Sequence, residues 1–199
     1  VEFVVFDIES NGGRSGRHRV IEVAGVKSRA GKTIAEYSSL VKLERKLPRF
    51  VSDLTGIEPE LLEDAPPIES VLGEFAEFAN GSILVAHNLP ADLSFLNHEA
   101  IWAGLARFPG SGLDTMELLA SLVPELQQAS LVAGLTHFDR APRAAHRALP
   151  DARNTADLFW CLIELAKGRG ASTVEELRDL SMGSNGGALP HRRKALIRW

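Results

Sequence analysis

The amino-acid sequence predicts an α/β domain of ordinary globular composition. Its 199 residues suit one domain with a short appendage, and a content of 45% hydrophobic and 24% charged residues is enough to bury a core. Strand patterns come first along the chain, and helical patterns then alternate with a further strand. This order of elements is typical of an α/β fold.

The N-terminal third predicts three strands. Residues 3–6 form an uninterrupted apolar run, which indicates a strand covered on both faces near the middle of a sheet. A second strand is predicted over 20–26, and the turn signal at 30–32 leads into a third strand over 33–41. We therefore expect an antiparallel meander at the start of the chain.

Helical periodicity begins after these strands. Apolar residues recur every three or four positions over 68–78, between a Pro-Pro pair and an Asn-Gly pair, which predicts a helix. A short buried strand is predicted over 83–86, followed by a helix that begins near Ala91. Further helices are predicted at about 115–122, 130–137, 151–167 and 173–180.

The pattern changes after residue 167. We predict one domain over 1–167 and, over 168–199, a linker with a short helix and a basic tail. The tail includes the cluster at 191–194 (HRRK), which would either contact a phosphate backbone or simply be solvated.

The N-terminal segment, the cysteine content and the net charge limit the cellular compartment and the classes of function. The first residues lack a basic segment followed by a long apolar one, and the single cysteine, Cys161, excludes an intramolecular disulfide; we expect a buried thiol and a cytoplasmic protein. The net charge of −4 argues against binding of polyanions by overall charge. It leaves open a local site in which carboxylates hold divalent cations that then attract phosphate.

Asp7 and Glu9 follow the first apolar run and are one residue apart. In a strand this spacing points both carboxylates to the same face, where they repel each other unless a cation compensates. Carboxylate oxygens suit magnesium or manganese. The alternative is a pair of solvated acids at a strand end.

Three further residues lie at predicted strand ends or helix starts. Asp92 follows the strand at 83–86, and His146 precedes Asp151 by five positions. An aspartate at a helix start is a routine capping group, so both aspartates have a purely structural alternative. In the functional interpretation, they join the first two acids, and the imidazole accepts a proton from water.

The whole arrangement resembles the histidine-bearing DEDDh (DnaQ-like) branch of the DEDD exonuclease superfamily, which includes the proofreading epsilon subunit of bacterial DNA polymerase III. The resemblance covers about residues 3–165. It is carried by the segments FDIE at 6–9, LTGI at 54–57, LVAHN at 84–88, DT at 114–115 and HRALPDA at 146–152.

This resemblance implies a ribonuclease-H-like fold, with a mixed central sheet flanked by helices, and removal of nucleotides from a 3′ end with two divalent metal ions, Mg²⁺ or Mn²⁺. The metal-binding and catalytic acids would be Asp7, Glu9, Asp92 and Asp151, with His146 as the catalytic general base. The substrate-binding residues would be Ile8, Ser10, Thr55, Gly56, Ile57 and Asn88.

We therefore expect a 3′→5′ exonuclease that acts on DNA in replication proofreading or repair, with a DNA polymerase or a helicase as a candidate partner. An RNA-trimming member of the superfamily and a non-catalytic module for nucleic-acid binding or polymerase tethering are the alternatives. Two departures from the family pattern bear on substrate choice: Ser10-Asn11-Gly12 replaces the usual Thr-Thr-Gly, and Ala91 replaces an aromatic residue. Arg147 would either contact the nucleic-acid backbone or be solvated.

Overall fold

A computed structural model describes residues 1–144 and 146–181 of the chain. Five strands form one sheet in the order β3-β2-β1-β4-β5, with β1 antiparallel to β2 and parallel to β4. The predicted meander and all four predicted strands are confirmed, and a two-residue strand was not predicted. The strands are β1 (Phe3–Ser10), β2 (Val20–Arg29), β3 (Lys32–Leu40), β4 (Ile83–Ala86) and β5 (Leu113–Asp114).

Helices cover both faces of this mixed sheet, which confirms the predicted fold class. The helix after β4 and the long helix that contains Asp151 both begin earlier than predicted, because each accepts a proline in its first turn. The first two helices were not predicted. The helices are α1 (Arg49–Thr55), α2 (Pro59–Glu63), α3 (Ile68–Ala79), α4 (Leu89–Trp102), α5 (Thr115–Leu122), α6 (Leu131–His137), α7 (Ala148–Gly168) and α8 (Val174–Ser181).

Alternate residues of β1 enter two separate cores. Phe3 and Val5 pack with α5 and α7, whereas Val4 and Phe6 pack with α3 and α4 on the opposite face. The two-residue period of a strand therefore places the next odd-numbered residues, Asp7 and Glu9, on the face that α7 covers. The hydrophobic pattern of the strand thus determines which helix the two acids meet.

Packing continues beyond the predicted domain boundary at residue 167. Ala171, Val174 and Leu177 are buried in the same core as α5 and α7, so α8 packs on the domain. The remainder of the predicted 168–199 segment, from residue 182 on and including the basic cluster at 191–194, lies outside the described residues. The expectation of a buried thiol was wrong, because Cys161 is partly exposed on α7. Among the described residues, none of the helices combines the length and the apolar character that crossing a membrane requires.

Candidate active site

Three of the predicted acids meet where β1 ends beneath the first turn of α7. Asp7, Glu9 and Asp151 each offer a carboxylate oxygen, and these oxygens lie within 4.8 Å of one another. All three residues are partly buried, so the group is shielded from solvent only in part. Hydrogen bonds and packing of β1 and α7 hold the acids together even though their charges repel.

Asp92 reaches the same region from α4. It lies in the first turn of that helix, just beyond the end of β4, which runs parallel to β1. Asp92 is outside the group defined by the 4.8 Å distance, but its charge raises the pKa of Asp7, and the charge of Glu9 raises the pKa of Asp92. The four acids are therefore electrostatically coupled at the carboxyl ends of two parallel strands, where sites of α/β proteins commonly form.

Burial and mutual repulsion raise the pKa values of these carboxyl groups above their ordinary range. Desolvation, followed by the charges of Asp92, Glu9 and Asp151, raises the pKa of Asp7 well above its ordinary value. Desolvation, with the charges of Asp151 and Glu22, raises the pKa of Glu9 to about 7, although Arg147 opposes this effect. Desolvation also raises the pKa of Asp92 to about 8, with further contributions from Asp114 and Glu9.

This donor set fits a divalent cation. The oxygens of Asp7, Glu9 and Asp151 are hard ligands, and their spacing allows them to share an ion. Burial and the charges of the neighbouring acids both raise the pKa of Asp7. A divalent cation bound there would favour the ionised carboxylates and remove the repulsion between them. The arrangement agrees with the use of divalent metals by DEDDh exonucleases.

The carboxylate of Asp151 is oriented by two neighbouring residues. The main-chain N–H of His146 donates to Oδ2 of Asp151 over 2.7 Å, and the Asn154 amide donates to Oδ1 over 3.4 Å. Asn154 is itself buried, and its Oδ1 accepts a hydrogen bond from the main-chain N–H of Arg143. Such supporting contacts fix the orientation of a metal-binding carboxylate. The suggestion that Asp151 caps α7 was wrong, because the helix begins after Arg147.

His146 lies on the exposed loop before α7 and has an unusual backbone conformation. Its φ angle of 66° is in the left-handed region, which non-glycine residues rarely adopt. Such conformations persist only where the surrounding structure holds them, and they are common at functional sites. The loop is held on one side by the bond from the His146 N–H to Asp151 and on the other by the next residue, Arg147.

Arg147 makes an ion pair with Glu22 of β2. Its guanidinium contacts both carboxylate oxygens at 2.9–3.3 Å, and the N–H of Ala148 donates to Oε2 of the same glutamate over 2.9 Å. The ion pair raises the pKa of Arg147. Glu22 is only 2% exposed, and sequence reasoning did not single it out. The one available signal was a glutamate inside an otherwise apolar strand, since buried glutamates are almost always paired.

Asp114 holds the junction of β4 and α4. Its carboxylate accepts hydrogen bonds from the main-chain N–H groups of Asn88, Leu89 and Met116 at 2.8–3.1 Å. Asn88 is exposed, has a left-handed φ of 74° and precedes the first residue of α4. Asp114 therefore fixes the turn that leads into the helix carrying Asp92. The interpretation of Asn88 as a substrate residue stays a prediction.

The other predicted substrate residues lie at the end of β1 or at and just after the end of α1. The hydroxyl of Thr55 donates to the Val51 carbonyl and accepts the N–H of Ile57, and Ile57 is fully buried. Gly56 ends α1 with a left-handed φ of 69°. On β1, Ile8 packs toward α3 and α4, while Ser10 donates to the Gly12 carbonyl over 2.7 Å. Contact of these residues with a nucleotide remains a prediction.

Comparison with known proteins places the chain in a family. A family model described as "Exonuclease" matches residues 4–159, which include all five predicted catalytic residues. The chain belongs to this exonuclease family. The domain is therefore a nuclease domain, and the resemblance to DnaQ-like exonucleases is confirmed.

A PolC-type DNA polymerase III from Caldanaerobacter subterraneus subsp. tengcongensis is 36% identical to this exonuclease domain over 181 residues. The alignment covers 91% of this chain but only 13% of that polymerase. A second PolC-type DNA polymerase III, from Thermotoga maritima, is 36% identical over 183 residues and is likewise covered over 13% of its length. The exonuclease domain thus corresponds to a small part of each relative.

The solved structure of Exonuclease X in complex with 5′ overhanging duplex DNA has a similar fold. Its TM-score is 0.69 with 28% sequence identity, and the match covers 90% of this chain and 99% of that one. The nuclease domain of 3′hExo, a DEDDh family member bound to rAMP, superposes with a TM-score of 0.72. That match has 18% identity and covers 84% of this chain and 92% of the other, so it supports the fold alone.

Proposed function

We propose that this domain is a divalent-metal-dependent 3′→5′ exodeoxyribonuclease that removes nucleotides from DNA 3′ ends in replication proofreading or repair. The observation that carries the proposal is the meeting of Asp7, Glu9 and Asp151 within 4.8 Å, with Asp92 coupled to them through the pKa values of Asp7 and Asp92. The similarity to PolC-type polymerases supports DNA as the substrate and a DNA polymerase as a partner.

In this proposal, Asp7, Glu9, Asp92 and Asp151 bind two Mg²⁺ or Mn²⁺ ions. When bound, such ions neutralise charge on the phosphate and lower the pKa of a coordinated water. The acids act mainly by position, and β1, α4 and α7 hold them rigidly at the ends of strands. Because their pKa values are raised, proton release must accompany cation binding near neutral pH.

His146 is proposed as the general base that accepts the proton of the attacking water. The left-handed backbone conformation of His146 and the bond from its main-chain N–H to Asp151 keep this residue next to the acid cluster. Exposure of the side chain suits a group that must meet both the incoming substrate and solvent. An imidazole nitrogen can accept a proton from water, which suits His146 to this proton transfer.

The proposed substrate contacts come from the resemblance to DnaQ-like exonucleases. Backbone at Ile8 and Ser10 runs beside the acids at the end of β1, while Thr55 is the last residue of α1 and Gly56 and Ile57 follow it. Asn88 precedes α4, the helix that carries Asp92. We assign these residues to the terminal nucleotide.

Digestion of end-labelled oligonucleotides tests the proposal. Single- and double-stranded DNA and matched RNA, each labelled at the 5′ end, are incubated with Mg²⁺, with Mn²⁺ or with chelator. We expect a ladder of DNA products shortened one nucleotide at a time from the 3′ end, only with metal. Removal of nucleotides from the 5′ end, internal cuts or full activity in chelator would contradict the proposal. Preference for RNA would favour the RNA-trimming alternative, and binding without digestion would favour a non-catalytic module.

A further inference from the structure

Glu22 connects the strand beside β1 to the loop that carries His146. It belongs to β2 and lies on the side of the sheet that α7 covers, directly opposite Glu9 in the antiparallel register. Its carboxylate receives both the guanidinium of Arg147 and the N–H of Ala148 at 2.9–3.3 Å. One buried side chain thus binds the two residues that follow His146.

The loop is therefore held at His146 and at the two residues that follow it. Its own N–H is bound to Asp151, and the two residues after it are bound to Glu22. A left-handed backbone is unfavourable for a non-glycine residue, so these bonds must offset that cost. Loss of either partner would allow the loop to relax to an ordinary conformation.

The ion pair also differs from ordinary surface pairs. The difference lies in the carboxylate: the Glu22 side chain is 3% exposed and that of Glu36 is 33% exposed. The side chains of their partners, Arg147 just before α7 and Arg153 on it, are 41% and 40% exposed. Removal of Arg147 leaves the buried charge of Glu22 without its cation, which is costly. Exposed pairs contribute little. The two pairs thus offer a matched comparison on one helix.

We propose that Glu22 and Arg147 are positioning residues that hold His146 and Asp151 in their working arrangement. This inference rests on the proposed function for its kinetic part, but the bonds themselves do not depend on it. The bidentate contact between the Arg147 guanidinium and the Glu22 carboxylate holds the loop in position. The bond from the Ala148 N–H to Glu22 fixes the start of α7. Neither residue is required to touch the substrate.

The test compares Glu22→Gln and Arg147→Met with Glu36→Gln as the matched control. Turnover of single-stranded DNA is measured together with Mn²⁺ affinity by calorimetry without substrate, and thermal unfolding verifies that each variant is folded. We expect Glu22→Gln and Arg147→Met to lower kcat and weaken Mn²⁺ binding by about 10–100-fold, with KM little changed. Glu36→Gln should stay within about twofold of wild type, as expected for an exposed pair.

Two further variants separate positioning from a general effect of charge. Arg147→Lys keeps the charge but loses the bidentate contact, so its kcat and Mn²⁺ affinity should be lowered as in Arg147→Met. The double variant should be no worse than either single one, because both remove the same contact. Folded variants with wild-type kcat and Mn²⁺ affinity, or an Arg147→Lys variant with wild-type values, would overturn the inference. Wild-type protein without nuclease activity would instead refute the proposed function, and the Mn²⁺ measurement would still decide the role of the pair.

Discussion

Glu9 of β1 lies directly opposite Glu22 of β2 in the antiparallel register. Like charges at directly opposed positions of a sheet destabilise it unless they are compensated. Arg147 supplies the compensation, because it binds Glu22 and also lowers the pKa of Glu9. The same contact therefore stabilises the sheet and joins the proposed metal site to α7.

Replacing Asp7 by Asn tests whether its charge is needed for metal binding. The change keeps the shape of the side chain and removes one of the repelling charges. Nuclease activity should fall by more than about 100-fold, beyond the loss typical of a residue that only supports a ligand. The melting temperature of the metal-free protein should stay the same or rise, since repulsion falls. Glu164→Gln, at an exposed position of α7, is the control for loss of one carboxylate. Near-normal turnover of Asp7→Asn would show that Asp7 is not a ligand.

The raised pKa values predict that the metal-free protein loses stability as the pH rises. The pKa of Glu9 rises from 4.5 to about 7 and that of Asp92 from 3.8 to about 8, so the folded state binds more protons than the unfolded state between about pH 4 and 8. The free energy of unfolding must then decrease with pH across this window. Thermal unfolding in chelator should show the decrease, and Asp92→Asn or excess Mg²⁺ should make it smaller. Identical pH slopes for wild type and Asp92→Asn would contradict the assignment.

Replacing His146 by Ala tests the proposed base. Loss of a general base typically costs about 10²–10⁴-fold in rate, so kcat should fall by that amount while metal affinity changes little. The pH dependence of kcat near neutrality should change as well. His137→Ala, at the exposed end of α6, is the matched control and should retain activity. A wild-type rate and pH profile in His146→Ala would identify another base.

Two glycines in helices give a test of the packing. A Cβ at Gly134 of α6 would lie 2.7 Å from Leu119 and 2.9 Å from Leu158, whereas a Cβ at Gly73 of α3 has nothing within 4 Å. Gly134→Ala should therefore destabilise the protein by about 1–3 kcal/mol through overpacking. Gly73→Ala should stabilise it by about 0.5–1 kcal/mol through reduced freedom of the unfolded chain. Chemical denaturation measures both changes, and equal effects at the two positions would refute this packing of α6.

Local patterns predicted the main elements of the fold but not all of them. Strands at 3–6 and 20–26 and the helix at 68–78 follow from apolar periodicity, which persists over enough residues to be recognised. Helices α1 and α2 have only seven and five residues, so their periodicity is too brief to identify. They are held by packing against residues such as Ile21, which lies far from them in sequence.

The family motifs predicted the acids of the candidate site, but they did not predict the residues that orient these acids. Asp7, Glu9 and Asp151 meet as the resemblance implied. Glu22 lies 125 residues from Arg147 in the sequence, so a contact between them leaves no local pattern. Asn154 likewise resembles any polar residue of an amphipathic helix until its bonds to Arg143 and Asp151 are seen.

Localisation of Mn²⁺ in a crystal of the protein tests the central claim most directly. Anomalous scattering from a crystal grown with Mn²⁺ and a mononucleotide should give a peak coordinated by Asp7, Glu9 and Asp151, with oxygen distances of roughly 2.0–2.3 Å as for other hard divalent cations. A second anomalous peak should lie nearby. In crystals of Asp7→Asn, both peaks should be weak or absent. Ordered carboxylates without bound Mn²⁺, in protein that degrades DNA under the same conditions, would contradict the account.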